Sequence, residues 1–94
     1  MKKMITLNIE YWIASGKEQE FNNLIAELAA ASRQDKGCLR YQYYFHPENP
    51  GIVMLWEQWD NAEDLALHGQ QPHFTRLVPQ MREIAQQEKF RFED

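Results

Sequence analysis

The sequence predicts an α+β domain built in the order β-α-β-β-α-β. Two segments, residues 4–13 and 38–46, alternate side chains with a period of two, as half-buried strands do. Between them, residues 17–34 repeat apolar side chains at helical spacing. After them, Pro47-Glu48-Asn49-Pro50-Gly51 supplies dense turn chemistry and leads into the apolar run 52–59, so that 38–59 reads as a hairpin.

In the first strand, Ile5, Leu7, Ile9, Tyr11 and Ile13 share one face, and Met4, Thr6, Asn8, Glu10 and Trp12 share the other. Ser15 and Glu18 then stand at the spacing of a capping box. Phe21, Leu24, Ile25, Leu28, Ala29 and Ser32 form the stripe of the first helix, and Gly37 is placed to stop it. In the second strand Leu39, Tyr41, Tyr43 and Phe45 lie opposite Cys38, Arg40, Gln42, Tyr44 and His46. The third strand is apolar on both sides, with Ile52, Met54 and Trp56 on one and Val53, Leu55 and Trp59 on the other. Asn61 is suited to cap a second helix, with Asp64 in its first turn and Leu65 and Ala66 turned inward. Pro72 opens a new helical segment whose stripe is Phe74, Leu77, Val78 and Met81, and Pro79 is expected to kink or weaken it. Residues 89–93 alternate once more, with Phe90 and Phe92 together, and read as a short closing strand.

This order is the ferredoxin-like arrangement, an antiparallel sheet with helices on one face. The 94 residues are room for one domain, spanning 1–94, with a modest core. The third strand leaves no polar face toward the side that helices do not cover. A homodimer packed sheet to sheet supplies that cover.

A net charge of −4 with scattered cations argues against nucleic acid and anionic membranes as partners. Cys38 is the one cysteine, so no internal disulfide is possible, and it reads as a small apolar side chain. No apolar run approaches the ~20 residues of a membrane span. Met4–Ile13 lacks the features of a signal peptide, and a cytoplasmic location is expected.

Phosphate-loop, C-x-x-C, H-E-x-x-H and G-x-S-x-G signatures are all missing. His68 and His73 flank Pro72 and need not share a face, so no metal site is expected. The stretch from His68 to Phe74 sits at a helix break facing the sheet, where a cavity opens. His68 there suits proton transfer near neutral pH, and His73 reads as a cap or surface residue. Asn8 offers an amide to a ligand oxygen or sits at an edge. Trp56 and Trp59 read as core or interface aromatics or as pocket lining, and Glu57 between them as exposed. Tyr41, Tyr43 and Tyr44 read mostly as packing residues, with one hydroxyl available to a cavity.

Taken in order, Ser15-Gly16-Lys17-Glu18 through Phe21, Gly37-Cys38-Leu39-Arg40-Tyr41, Pro47-Glu48-Asn49-Pro50, Leu55-Trp56-Glu57-Gln58-Trp59, Glu63-Asp64-Leu65, and His68 with Pro72-His73-Phe74 form a series that resembles the antibiotic biosynthesis monooxygenase-like family. The resemblance runs over nearly the whole chain. It implies a ferredoxin-like homodimer and a cofactor-free monooxygenase acting on a quinol or related polycyclic phenol with O₂. A deprotonated substrate of this kind is electron-rich enough to reduce O₂ itself, so no cofactor is expected. By the resemblance, His68 is the base or hydrogen-bond donor, Asn8 and Trp56 orient substrate and oxygen, Tyr43 and Phe74 sandwich the ring, and His73 lies beside it. The same family implies two alternatives. One is an isomerase or ligand-binding protein for a phosphorylated autoinducer-type molecule, with Arg40 or Arg76 as the nearest phosphate partners. The other, haem degradation, is disfavoured. Asn8 matches its asparagine, but His68 and Val78 stand where those relatives carry tryptophan and the haem-ligating histidine.

Overall fold

The structure is a computed structural model and describes residues 2–94. Strand β1 (Ile5–Ile13) is followed by α1 (Glu18–Ser32), the hairpin β2 (Cys38–Phe45) and β3 (Ile52–Trp59), α2 (Ala62–His68), α3 (Pro72–Ile84) and β4 (Ala85–Glu93). The strands form one sheet in the order β2-β3-β1-β4. Every neighbouring pair is antiparallel, and this is the ferredoxin-like arrangement. No helix among the described residues is long and apolar enough to cross a membrane.

The alternation in β1 sets the layers. Ile5, Leu7, Ile9, Tyr11 and Ile13 are all buried and face the helices. They pack with Val53, Leu55 and Trp59 of β3, Phe21, Ile25 and Leu28 of α1, and Leu77, Val78 and Met81 of α3. Tyr11 and Phe21 meet with ring centroids 5.0 Å apart, which joins sheet to helix at the centre of the core. The opposite face carries no helix. There Trp12, Tyr44, Met54, Phe90 and Phe92 stand exposed.

Local chemistry departs from the sequence pattern at five places. Ser15 does not cap α1. Ser15-Gly16 forms a turn with Gly16 at φ 85°, closed by Lys17 N–H donating to the Ala14 carbonyl at 3.0 Å, and Lys17 takes the cap position with no side-chain bond. Gly37 does not end α1 either, since the helix stops at Ser32. Gly37 instead holds φ 78° where α2 approaches, and a Cβ there would fall 2.2 Å from Asp64 Oδ2. A register shift between Cys38 and Arg40 makes Leu39 the extra residue of a bulge. Leu39 is thereby exposed, and Cys38, paired with Trp59, packs against the core. Asn61 does cap α2, its side chain accepting from Asp64 N–H at 2.9 Å, and Leu65 packs inward against the core, but the fully buried side chains of α2 are Asp64 and His68, and Ala66 is exposed. Finally, β4 begins four residues earlier than its own alternation indicates, because pairing with β1 extends through Ala85. Helix α3 continues past Pro79, which lies on its exposed side.

Candidate active site

Three connections converge on one carboxylate. Asp35 lies in the turn between α1 and β2, fixed by its N–H on the Ser32 carbonyl at 3.0 Å and its own carbonyl accepting from Cys38 N–H at 3.1 Å. His68 ends α2, and its Nδ1 is 2.7 Å from Asp35 Oδ2. His73 lies in the first turn of α3, and its Nε2 is 2.8 Å from the same oxygen. An ionised carboxylate only accepts, so both rings donate N–H to it. That places the proton of a neutral His68 on Nδ1 and the lone pair on Nε2. Nε2 is buried and has no hydrogen-bond partner among the described residues.

His68 is only 2% exposed. Its ring lies against Trp59 at 4.4 Å and meets the edges of Phe74 at 5.2 Å and Tyr41 at 5.6 Å. Burial lowers its pKa, and the hydrogen bond and charge of Asp35 partly oppose that shift. The ring is therefore neutral, with a free lone pair, at neutral pH.

His68 lines a cavity of about 270 Å³ between the inner face of the sheet and the helices. Leu7, Ile9, Leu28, Leu65, Phe74 and Val78 make its apolar wall, and Tyr11, Tyr41, Glu57 and His68 are its inner polar groups. Arg82, Gln87, Lys89 and Arg91 line it toward β4. Glu57 is 4% exposed, not an edge residue, because its register opposite Leu7 and Tyr41 turns it inward. Trp59 Nε1 donates to Glu57 Oε1 at 2.9 Å. Burial pushes the Glu57 carboxyl up from 4.5 to about 7, against the Trp59 bond and the charge of Lys89. Burial also raises the hydroxyl pKa values of Tyr11 and Tyr41, so both stay protonated donors. The Cys38 thiol is pushed up to about 11, first by burial, which makes it a poor nucleophile.

Of the residues singled out from the sequence, His68 and Phe74 meet in this cavity. His73 stands behind them on Asp35 rather than on the cavity wall, and it is a partner of His68 rather than an independent surface residue. Asn8 and Trp56 are cross-strand neighbours on the helix-free face, with Phe90 on the other side of Asn8 and the Arg40 guanidinium 4.1 Å from the Trp56 ring. The sheet separates both from His68, because even-numbered positions of β1 and β3 point away from the helices. Tyr43 shares the inner face but stands beyond the cavity, edge-on to Phe45, and Tyr41 occupies the place expected for it.

Asp35, His68 and His73 are also a group that could hold a cation, their ligand atoms lying within 4.8 Å of one another. The two histidines thus do share a focus, and α2 and α3 bring them to it despite Pro72. Their 2.7 and 2.8 Å spacings from one oxygen are those of two N–H donors on a carboxylate. The two positions compared with haem-degrading relatives do not meet. Val78 is part of the cavity wall, and Asn8 lies across the sheet. The proposed phosphate partners lie elsewhere too, Arg40 on Trp56 and Arg76 paired with Glu27 at the surface.

Sequence reasoning missed Asp35 and misplaced Glu57. Glu57 had a signal in its odd position, shared with Leu55 and Trp59. Asp35 had none, for nothing local ties a turn residue to a helix end 33 positions away.

A family model described as "Antibiotic biosynthesis monooxygenase" matches residues 4–80. An uncharacterized protein of Synechocystis sp. is 31% identical over 62 residues, which cover 66% of this chain and 42% of that protein, so the match spans under half of the relative's length. A conserved protein of unknown function from Bacteroides thetaiotaomicron, called a possible oxidoreductase, superposes with a TM-score of 0.94 at 29% identity over 100% of both chains. SnoaB, a cofactor-independent oxygenase from Streptomyces nogalater solved as a point mutant, superposes with a TM-score of 0.84 over 95% of this chain and 90% of its own. At 18% identity that likeness is one of fold.

Proposed function

Because this chain belongs to the antibiotic biosynthesis monooxygenase family, we propose that it is a cofactor-independent monooxygenase that oxidises a small quinol or related phenol with O₂. The observation that carries this reading is the buried His68 ring, held through Nδ1 by Asp35, with its Nε2 unpartnered at an aromatic cavity. SnoaB, whose fold this chain shares, is named a cofactor-independent oxygenase, which agrees with the reading.

In this mechanism His68 Nε2 takes the phenolic proton, and the Asp35 carboxylate stabilises the imidazolium that forms. The phenolate gives one electron to O₂, the two radicals combine at carbon, and the peroxide anion so formed takes the proton back from His68 Nε2. Loss of water from the resulting hydroperoxide leaves one oxygen atom on the ring. The other oxygen leaves with two substrate hydrogens. Tyr11 and Tyr41 are the donors available to the developing oxyanion, and the apolar wall limits the water that would compete with them. A cavity of about 270 Å³ lies just below the usual range for ligand pockets, which begins near ~300 Å³. The substrate is accordingly a one- or two-ring compound. Asn8 and Trp56 belong in this reading to the face where two copies of the chain pack.

Oxygen uptake by the purified protein with a panel of one- and two-ring quinols tests the proposal. Uptake should exceed autoxidation and fall about 10²- to 10⁴-fold in His68→Ala, the contribution typical of a general base. In Asp35→Asn the remaining activity should be lower, and its acidic limb should move to lower pH, because Asp35 supports protonation of His68. Wild-type rates in His68→Ala would remove the base. Absence of uptake with every quinol would leave a binding protein.

A further inference from the structure

Strand β4 reverses the polarity of its neighbour, β1. In β1 the helix-facing row is apolar. In β4 the row on that face is Gln87, Lys89 and Arg91, paired respectively with Tyr11, Ile9 and Leu7, and the aromatic side chains Phe90 and Phe92 occupy the outer row. A strand that served only to close the core would carry these rows the other way round. The inner row lines the cavity. Arg82 of α3 joins it there, so three of the ten cations of an acidic chain gather at one end of one cavity.

The local charges do not cancel. Arg91 is bonded to Glu93 at 2.9 Å, but Arg82 and Lys89 pair with no carboxylate among the described residues. Glu57 is the acidic group on the cavity wall, and it is buried, with its carboxyl held largely protonated below pH 7. The cavity is therefore graded, with an aromatic end at His68 and Phe74 and a cationic end at β4. A neutral ring would leave the cationic end without a role. An acid on the ring would gain charge-assisted hydrogen bonds there and turn the opposite end of the ring toward His68.

We propose that this site takes a small aromatic ring bearing an acid group, carboxylate or phosphate, with the ring against Phe74 and Val78 and the acid on Lys89 and Arg82. The proposal rests on the reading of the cavity as the substrate site and names the class of substrate.

Isothermal titration with 2-naphthoate, 2-naphthyl phosphate and neutral 2-naphthamide tests it, on the wild-type chain and on Arg82→Gln/Lys89→Gln. In the wild type at least one acid should bind about tenfold tighter than the amide, as hydrogen bonds to charged groups provide. In the double variant that advantage should fall to near one, while an unchanged circular dichroism spectrum and urea midpoint report an intact fold. The acid that loses more identifies the head group. Equal affinities in the wild type, an acid advantage that survives in the variant, or no binding of any probe would each overturn the proposal. None of the probes carries a free phenol, so the outcome is independent of oxygen chemistry. Oxygen uptake confined to neutral quinols would uphold the oxygenase and overturn the acid group.

Discussion

Glu57 shows what a single buried carboxyl costs. Its folded-state pKa is raised from 4.5 to about 7. Its contribution to stability is thus fully present below the unfolded value and is lost as pH rises through the folded one. At about 1.4 kcal/mol per pH unit, the fold loses roughly 3 kcal/mol across that window. Glu57→Gln keeps an acceptor for Trp59 Nε1 and cannot ionise. Urea unfolding should find it more stable than wild type by up to about 3 kcal/mol at pH 8, and close to wild type at pH 4. A gain that is the same at both pH values would show that ionisation is not its source. At this scale the sequence reveals residue types better than their partners. That His68 and Phe74 line the cavity was legible from the helix break facing the sheet and from the apolar stripe that Phe74 begins. Asp35 was not, because its role exists only after α1, α2 and α3 have closed around it.

Among the elements, the turn between α1 and β2 is the most constrained. Gly37 combines φ 78° with a neighbour that leaves no room for Cβ, whereas Gly16 has φ 85° with nothing within 4 Å of its Cβ position. Both glycines relieve backbone strain of order 1–3 kcal/mol, but only Gly37 also admits Asp64. Gly37→Ala should therefore lower stability by more than Gly16→Ala, by about 2 kcal/mol or more beyond it, measured as the shift in urea midpoint. Equal losses would mean that Asp64 moves aside freely. The strands and helices themselves were readable where a period ran unbroken, as in β1 and α1. Reading failed where pairing overrides the local pattern. The bulge at Leu39 carries Cys38 to the core side of β2, and β1 recruits Ala85 and the polar residues 86–88 into β4.

Across the whole molecule, one face of the sheet is finished and the other is not. Phe90 and Phe92 are 51% and 53% exposed, and Trp12, Tyr44 and Met54 share their face. This agrees with the homodimer proposed for the chain, since burying such a face removes apolar surface from water at ~25 cal/mol per Å². Phe90→Ser/Phe92→Ser should shift the protein from dimer to monomer in light scattering behind size exclusion, with little change in circular dichroism, because neither ring belongs to the core of the single chain. A wild-type monomer at micromolar concentration would refute the dimer.

Strand β4 writes two messages in alternate letters. Positions 87, 89 and 91 address the cavity, and positions 90 and 92 address the open face. The two can be edited separately by substitution, so ligand preference and self-association are free to diverge along one strand. They cannot be separated by a slip in register. A one-residue slip of β4 against β1 exchanges the two readings, setting phenylalanines in the cavity and cations on the open face.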